Sequence, residues 1–147
     1  TLCRSSAASD VYKRQCGDCT NHPNKLLNKS LRLESVHNAM EQSKTVAASL
    51  SNNPKEYNQI PWFWSDQYDH KLQIVGLSGE HDRVTMRGKM EDSKFMLFYT
   101  LNSELIAVYS VNNSKEFLIC RKLVANKVRI EPEMIADPSF NLNDLIA

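Results

Sequence analysis

Small and apolar residues first fall into a regular rhythm between Val36 and Leu50, where Val36, Ala39, Met40, Ser43, Ala47 and Leu50 recur at helical spacing. Ser35 stands in front as an N-cap, and Asn52-Asn53-Pro54 stops the run. The period then changes from helical to alternating. Leu72 and Ile74 alternate in KLQIVG, and Val84 and Met86 in RVTMR. FMLFYTL and ELIAVYSV are more continuously apolar, and Asn102-Ser103 between them reads as a two-residue hairpin turn. A last helix is predicted from about Lys115 to Lys127, with Phe117, Cys120, Leu123 and Val124 facing inward, and Pro132 starts a short helical turn. The pattern predicts an α+β fold, an antiparallel meander backed by a helix.

Outside these elements the chain is irregular. The first fifteen residues, TLCRSSAASDVYKRQ, are small, polar and aperiodic. They resemble a sequencing adapter translated in frame, so residues 1–15 are set aside as a non-native or disordered segment. CGDCTNHPNK reads as a loop, and no internal repeat or low-complexity segment is visible.

Composition removes several classes of function. The chain has 147 residues, 41% hydrophobic and 24% charged, which suits an ordinary globular domain. A net charge of +1 leaves no electrostatic footprint for nucleic acid or an anionic membrane. Four cysteines, Cys3, Cys16, Cys19 and Cys120, are too few and too scattered for a disulfide scaffold. With no signal-peptide pattern, a reducing cytoplasm is the expected compartment. Four glycines, Gly17, Gly76, Gly79 and Gly88, cannot build a GxGxxG fingerprint or a P-loop.

The remaining candidates each have a plain alternative. Cys16, Cys19 and His22 supply two thiolates and an imidazole, but a structural zinc site needs a fourth ligand and no second C-x-x-C exists. A Gly17-Asp18 pair lets backbone approach a ligand while the carboxylate accepts from a sugar-like hydroxyl, yet Gly-Asp alone is an ordinary turn. The helix start at RLESVHNA offers free N–H groups, as every helix does. In PWFWSDQYD, Trp62 and Trp64 read as core, as a stacking platform or as one wall of a cofactor site. Asp66 and Asp69 weigh against the platform. Ser65, Asp66 and Gln67 have no G-x-S-x-G around them, and His70 is too close in sequence to complete a triad.

Taken in order, CGDCTNHPN, LRLESVHNAMEQSKTVA, PWFWSDQYDHKLQIVGLSGEHDRVTMRG and the FMLFY, AVYSVN and RKLV segments resemble one family. It is that of the FAD-dependent NAD(P)H:ferredoxin reductases serving bacterial oxygenases and cytochromes P450, of the putidaredoxin and rhodocoxin reductase type. The resemblance runs from Gly17 to the end. It implies that residues 16–53 are the last loop and helix of a Rossmann-like FAD domain, and residues 54–147 the reductase C-terminal domain. The upstream FAD and NAD fingerprints are missing, so the chain looks like a fragment.

The resemblance further implies that Asp18, beside Gly17, bonds a ribityl hydroxyl of FAD. It implies that the backbone N–H of Val36 meets the pyrimidine edge of the flavin, and that Trp64 stands beside the isoalloxazine. Trp62 is then expected to pack, and Ser65-Asp66-Gln67 to position a loop. The implied reaction passes electrons from NADH or NADPH through FAD to a [2Fe–2S] ferredoxin or a rubredoxin. One departure stands out: Lys13-Arg14-Gln15-Cys16 replaces the small apolar strand that runs into Gly-Asp in the family. The chain by itself is therefore expected to bind FAD weakly or not at all. Two alternatives stay open: a free-standing interaction or dimerisation module for a redox partner, and a small metal-binding protein using Cys16, Cys19 and His22.

Overall fold

The computed structural model describes residues 15–146, so the segment set aside above lies, but for Gln15, outside the described residues. Two compact units divide the chain between Gln59 and Ile60.

The first unit holds a small ribbon and a helix. Strand β1 (Asn21–Asn24) pairs antiparallel with β2 (Lys29–Arg32), His22 opposite Leu31. The expected loop at CGDCTNHPNK thus contains a strand over Asn21–Asn24. Pro23 cannot donate to a ladder and masks the strand in the sequence, but a two-stranded ribbon has outer edges where no donor is needed. The buried Asn24 fixes the turn: its Oδ1 accepts from Leu27 N at 3.1 Å and its Nδ2 donates to Gln59 O at 3.0 Å. Helix α1 (Val36–Leu50) starts where Ser35 Oγ accepts from Asn38 N, as the N-cap signal predicts.

The stripe read from the sequence is not the face α1 buries. Val36, Met40 and Leu50 are 58%, 53% and 57% exposed, whereas Asn38 and Gln42 are buried. Hydrogen bonds, described below, make that burial possible.

The second unit is a five-stranded antiparallel sheet with helices. Its strands are β3 (Trp62–Gln67), β4 (His70–Gly76), β5 (Arg83–Lys89), β6 (Lys94–Leu101) and β7 (Glu104–Val111), in the spatial order β3-β4-β7-β6-β5. A simple meander would set β4 beside β5; instead β7 lies between β4 and β6. The two most apolar strands, β6 and β7, take interior positions where both neighbours cover them. The polar ends of β3 and the Arg- and Lys-bearing β5 take the edges. Ser65-Asp66-Gln67 continues edge strand β3 up to the Tyr68-Asp69 turn that leads into β4. Asn102 and Ser103 have φ of 52° and 66°, a primed two-residue turn, as predicted for this hairpin. Gly76 (φ +77°) is obligatory, because a Cβ there would lie 2.0 Å from Ile106 O.

Helix α2 (Ser114–Ala125) covers one sheet face with Phe117, Cys120, Leu123 and Val124, the inward residues predicted from the spacing. They join Val75, Met96, Phe98, Leu105 and Val108 in the core, closed by Ile130, Ile135 of α3 (Pro132–Ala136) and Leu142. On β4 the buried side chains are Gln73 and Val75, so the alternating Leu72 and Ile74 line the other face. Val84 and Met86 on β5 do the same, both 44% exposed. Strand registers line up Phe63, Ile74, Tyr109, Leu97 and Met86 in one row across that face. Alternation reveals two faces, but not which one a helix will cover.

Candidate functional site

In the first unit the Gly17-Asp18 pair sits in a tight turn. Gly17 is buried with φ +86°, and Thr20 N donates to Gly17 O at 3.1 Å. The Asp18 side chain is exposed, while its backbone carbonyl accepts from Arg32 Nε at 3.1 Å. The turn is fastened to α1 by Gln42. Gly17 N donates to Gln42 Oε1 at 2.7 Å, and the Thr20 hydroxyl lies 2.9 Å from the same oxygen.

From Gln42 the hydrogen bonds continue inward. Its Nε2 donates to Asn38 Oδ1 at 3.0 Å and lies 2.9 Å from His22 Nδ1. Gly17 N can only donate, so the atom facing it is the carboxamide oxygen and the one facing His22 is the NH2. His22 Nδ1 must then accept, which places the imidazole proton on Nε2. Burial lowers the pKa of His22 and favours this neutral form. Tyr57 stacks edge-on against His22 at 4.9 Å and donates its hydroxyl to Asn38 Oδ1 at 2.9 Å. Asn38 Nδ2 closes the set on Leu33 O at 2.8 Å, just ahead of the helix cap. The buried polar face of α1 is thereby satisfied, as low-dielectric burial requires.

Sequence reading singled out Gly17, Asp18 and Val36 but missed Gln42 and Asn38. The available signal was their i, i+4 spacing, which puts two carboxamides on one helix face. Cys16, Cys19 and His22 share this unit, with Cys16 partly buried and Cys19 exposed. Among the described residues no three His, Cys, Asp or Glu side chains gather as a metal site would need.

In the second unit Trp64 lies on the helix-covered face of β3, opposite Gln73 of β4. Trp62, two residues earlier on the same face, stacks on it with ring centroids 4.9 Å apart and planes 28° from parallel. Trp62 packs onto the core beside Phe117 at 6.2 Å, and the Arg121 guanidinium carbon lies 4.5 Å from its ring centroid. Both indoles are half-buried, but only Trp62 joins the core cluster; Trp64 stands in front of it. The Ser65 hydroxyl accepts from Gln67 Nε2 at 3.2 Å, and Asp66 lies 4.0 Å from Lys71 Nζ. Among the described residues no helix is long and apolar enough to cross a membrane.

This sheet-and-helix arrangement is that of the α+β C-terminal domains of flavoprotein reductases. The chain belongs to the Reductase C-terminal family, which residues 62–146 match. It is 36% identical over 139 residues to putidaredoxin reductase of Pseudomonas putida, covering 95% of this chain and 33% of that protein. It is 38% identical over 131 residues to rhodocoxin reductase of Rhodococcus erythropolis, covering 89% and 31%. Among solved structures, the ferredoxin reductase for the CYP199A2 system of Rhodopseudomonas palustris superposes with a TM-score of 0.84 at 39% identity, over 90% of this chain and 33% of that one. The reductase of the covalent putidaredoxin reductase–putidaredoxin complex gives 0.82 at 36% identity, over 89% and 31%. The chain thus spans about a third of the length of the relatives it matches.

Proposed function

We propose that this chain is the C-terminal part of a reductase that passes electrons from NADH or NADPH through FAD to a [2Fe–2S] ferredoxin or a rubredoxin serving an oxygenase or cytochrome P450. The observation that carries the reading is the alignment with putidaredoxin reductase, which extends over 95% of the chain and so through both units. The cytoplasm is the proposed compartment.

The chain's own residues suit a flavin. Asp18 presents an exposed carboxylate from a turn tethered through the buried Gly17, which matches the need for an acceptor at a ribityl hydroxyl. Val36 is the first residue of α1, so its N–H has no partner within the helix ladder and the positive end of the helix dipole lies beside it. That end favours the negative charge a reduced flavin gathers at its pyrimidine edge. Gly17 lets the backbone turn sharply enough to present Asp18. Trp64, supported from behind by Trp62, is the residue we assign to the flavin-facing wall, with no acid–base role.

When bound, FAD supplies the two-electron to one-electron conversion; the protein supplies orientation and electrostatics. The test is to express the complete reading frame containing this chain and measure NAD(P)H-dependent reduction of a [2Fe–2S] ferredoxin and a rubredoxin. A purified complete protein without flavin, or one that reduces neither redoxin, refutes the reading.

A further inference from the structure

We infer that Gln42 is a positioning residue that sets the Asp18 carboxylate for FAD, and that its loss is felt at the flavin through Asp18. The inference rests on the flavin reading above. It starts from an imbalance in the Gly17–Thr20 turn: the residue meant to meet the ligand is exposed, yet the turn that carries it has a buried backbone N–H. That N–H needs an acceptor, and among the described residues no neighbouring strand supplies one. Gln42, 6% exposed on α1 and 25 residues further along the chain, provides it at 2.7 Å.

Every hydrogen-bonding position on the carboxamide is used. Oε1 faces Gly17 N and the Thr20 hydroxyl, and Nε2 faces Asn38 Oδ1 and His22 Nδ1. Such a carboxamide cannot rotate about its last torsion without losing all of these contacts, so it holds the turn in one place. The same α1 carries Val36 at its start, and Asn38 ties that start to Leu33 O. Gln42 therefore sets the separation between the two groups assigned to the flavin, Asp18 on the turn and Val36 on the helix, while touching neither. No packing role explains this arrangement, because an apolar side chain of equal size would leave Gly17 N–H buried without an acceptor.

The test uses the complete reductase and reads the FAD dissociation constant by flavin fluorescence. Gln42→Met keeps the volume and removes the acceptor; Gln42→Glu keeps the acceptor toward Gly17 and Thr20 and gives up both Nε2 donations, one of which a His22 proton moved to Nδ1 replaces. The Met variant is expected to weaken FAD binding about tenfold, the effect of displacing the Asp18 carboxylate from its charge-assisted hydrogen bond to the ribityl hydroxyl. The Glu variant is expected to stay within about threefold of wild type, a rescue that a residue needed only for packing would not show. In a cycle with Asp18→Asn, the double variant Asp18→Asn/Gln42→Met should bind FAD no more than about twofold worse than Asp18→Asn alone, since coupled sites are not additive.

Additive losses in the cycle, or equal dissociation constants in wild type and both Gln42 variants, overturn the inference. So does an equal loss in the Met and Glu variants. If the Met variant does not fold, Thr20→Val takes its place, removing the hydroxyl that contacts both the same oxygen and Gly17 O; an unchanged dissociation constant then overturns the proposal. A wild-type complete protein that holds no FAD overturns the flavin reading itself, and the inference falls with it. A wild type that holds FAD while the variants hold it equally well overturns the inference alone.

Discussion

Arg87 and Glu116 meet as a two-point ion pair across the sheet–helix boundary, with Arg87 Nη2 2.9 Å from Glu116 Oε1 and Arg87 Nε 3.0 Å from Oε2. The Arg87 side chain is 5% exposed and that of Glu116 29%. The guanidinium also donates to the carbonyls of Ile135, Asp137, Pro138 and Phe140, so one β5 side chain fastens the end of α3 and the segment after it. Removing the arginine leaves a half-buried carboxylate and four carbonyls short of a donor. Arg87→Met is expected to lower the unfolding free energy by about 3–5 kcal/mol, with Glu116→Gln costing clearly less. Urea midpoints of the two variants check the order.

Cys120 lies in the α2 core, where burial, helped by the Glu116 charge, pushes its thiol from 9.0 up to about 12. A raised acid pKa means that the folded state keeps its proton while the unfolded chain releases one. The contribution is therefore complete below about pH 9 and is lost as pH rises toward about 12. Wild type should lose stability across this range with a slope of up to about 1.4 kcal/mol per pH unit, and Cys120→Ala should show a flatter profile. Below pH 9, Cys120 should also resist a thiol reagent that labels the exposed Cys19.

Ser103 holds φ at 66° in the β6–β7 turn, a region that costs a side chain more than it costs glycine. Ser103→Gly is expected to raise stability by about 0.5–1 kcal/mol despite the added freedom of the unfolded chain. A thermal melt showing destabilisation would mean that unfolded-state entropy outweighs the relief of strain.

Trp62 and Trp64 stack on each other yet should separate cleanly by effect. Trp62→Leu removes an aromatic packed on Phe117 and should cost about 2–4 kcal/mol of stability. Trp64→Leu should cost less than about 1.5 kcal/mol, but in the complete reductase it should change flavin fluorescence and slow redoxin reduction. Matched chemical melts and stopped-flow traces read both effects; equal stability losses would remove the distinction.

The chain by itself should carry no stoichiometric FAD, because Gly17, Asp18 and Val36 are the only contacts we assign to the cofactor in its first unit. Absorbance near the flavin band of a purified sample measures this directly. A yellow protein with one flavin per chain would contradict it.

Much of the second unit was legible because its signals are local. Phe117, Cys120, Leu123 and Val124 repeat at helical spacing, and Asn102-Ser103 separates two strongly apolar strands, so α2 and the β6–β7 hairpin follow from neighbours in sequence. The RLESVHNA and PWFWSDQ segments likewise carried the family in their order and spacing.

Tertiary structure decided what depends on distant partners. Strand order put β7 between β4 and β6, because interior positions favour the strands with most apolar surface to cover. It chose Gln73 and Val75 over Leu72 and Ile74 as the buried side of β4. On α1 it buried Asn38 and Gln42 and left Val36 and Met40 exposed, an inversion no hydrophobic pattern predicts. For the buried Gln73, Asn38 and Gln42 the physical reason is the same. A polar side chain is costly to bury until its partners are in place, and the partners of Gln42 come from Gly17, Thr20 and His22, remote along the chain but brought within hydrogen-bonding distance by the fold.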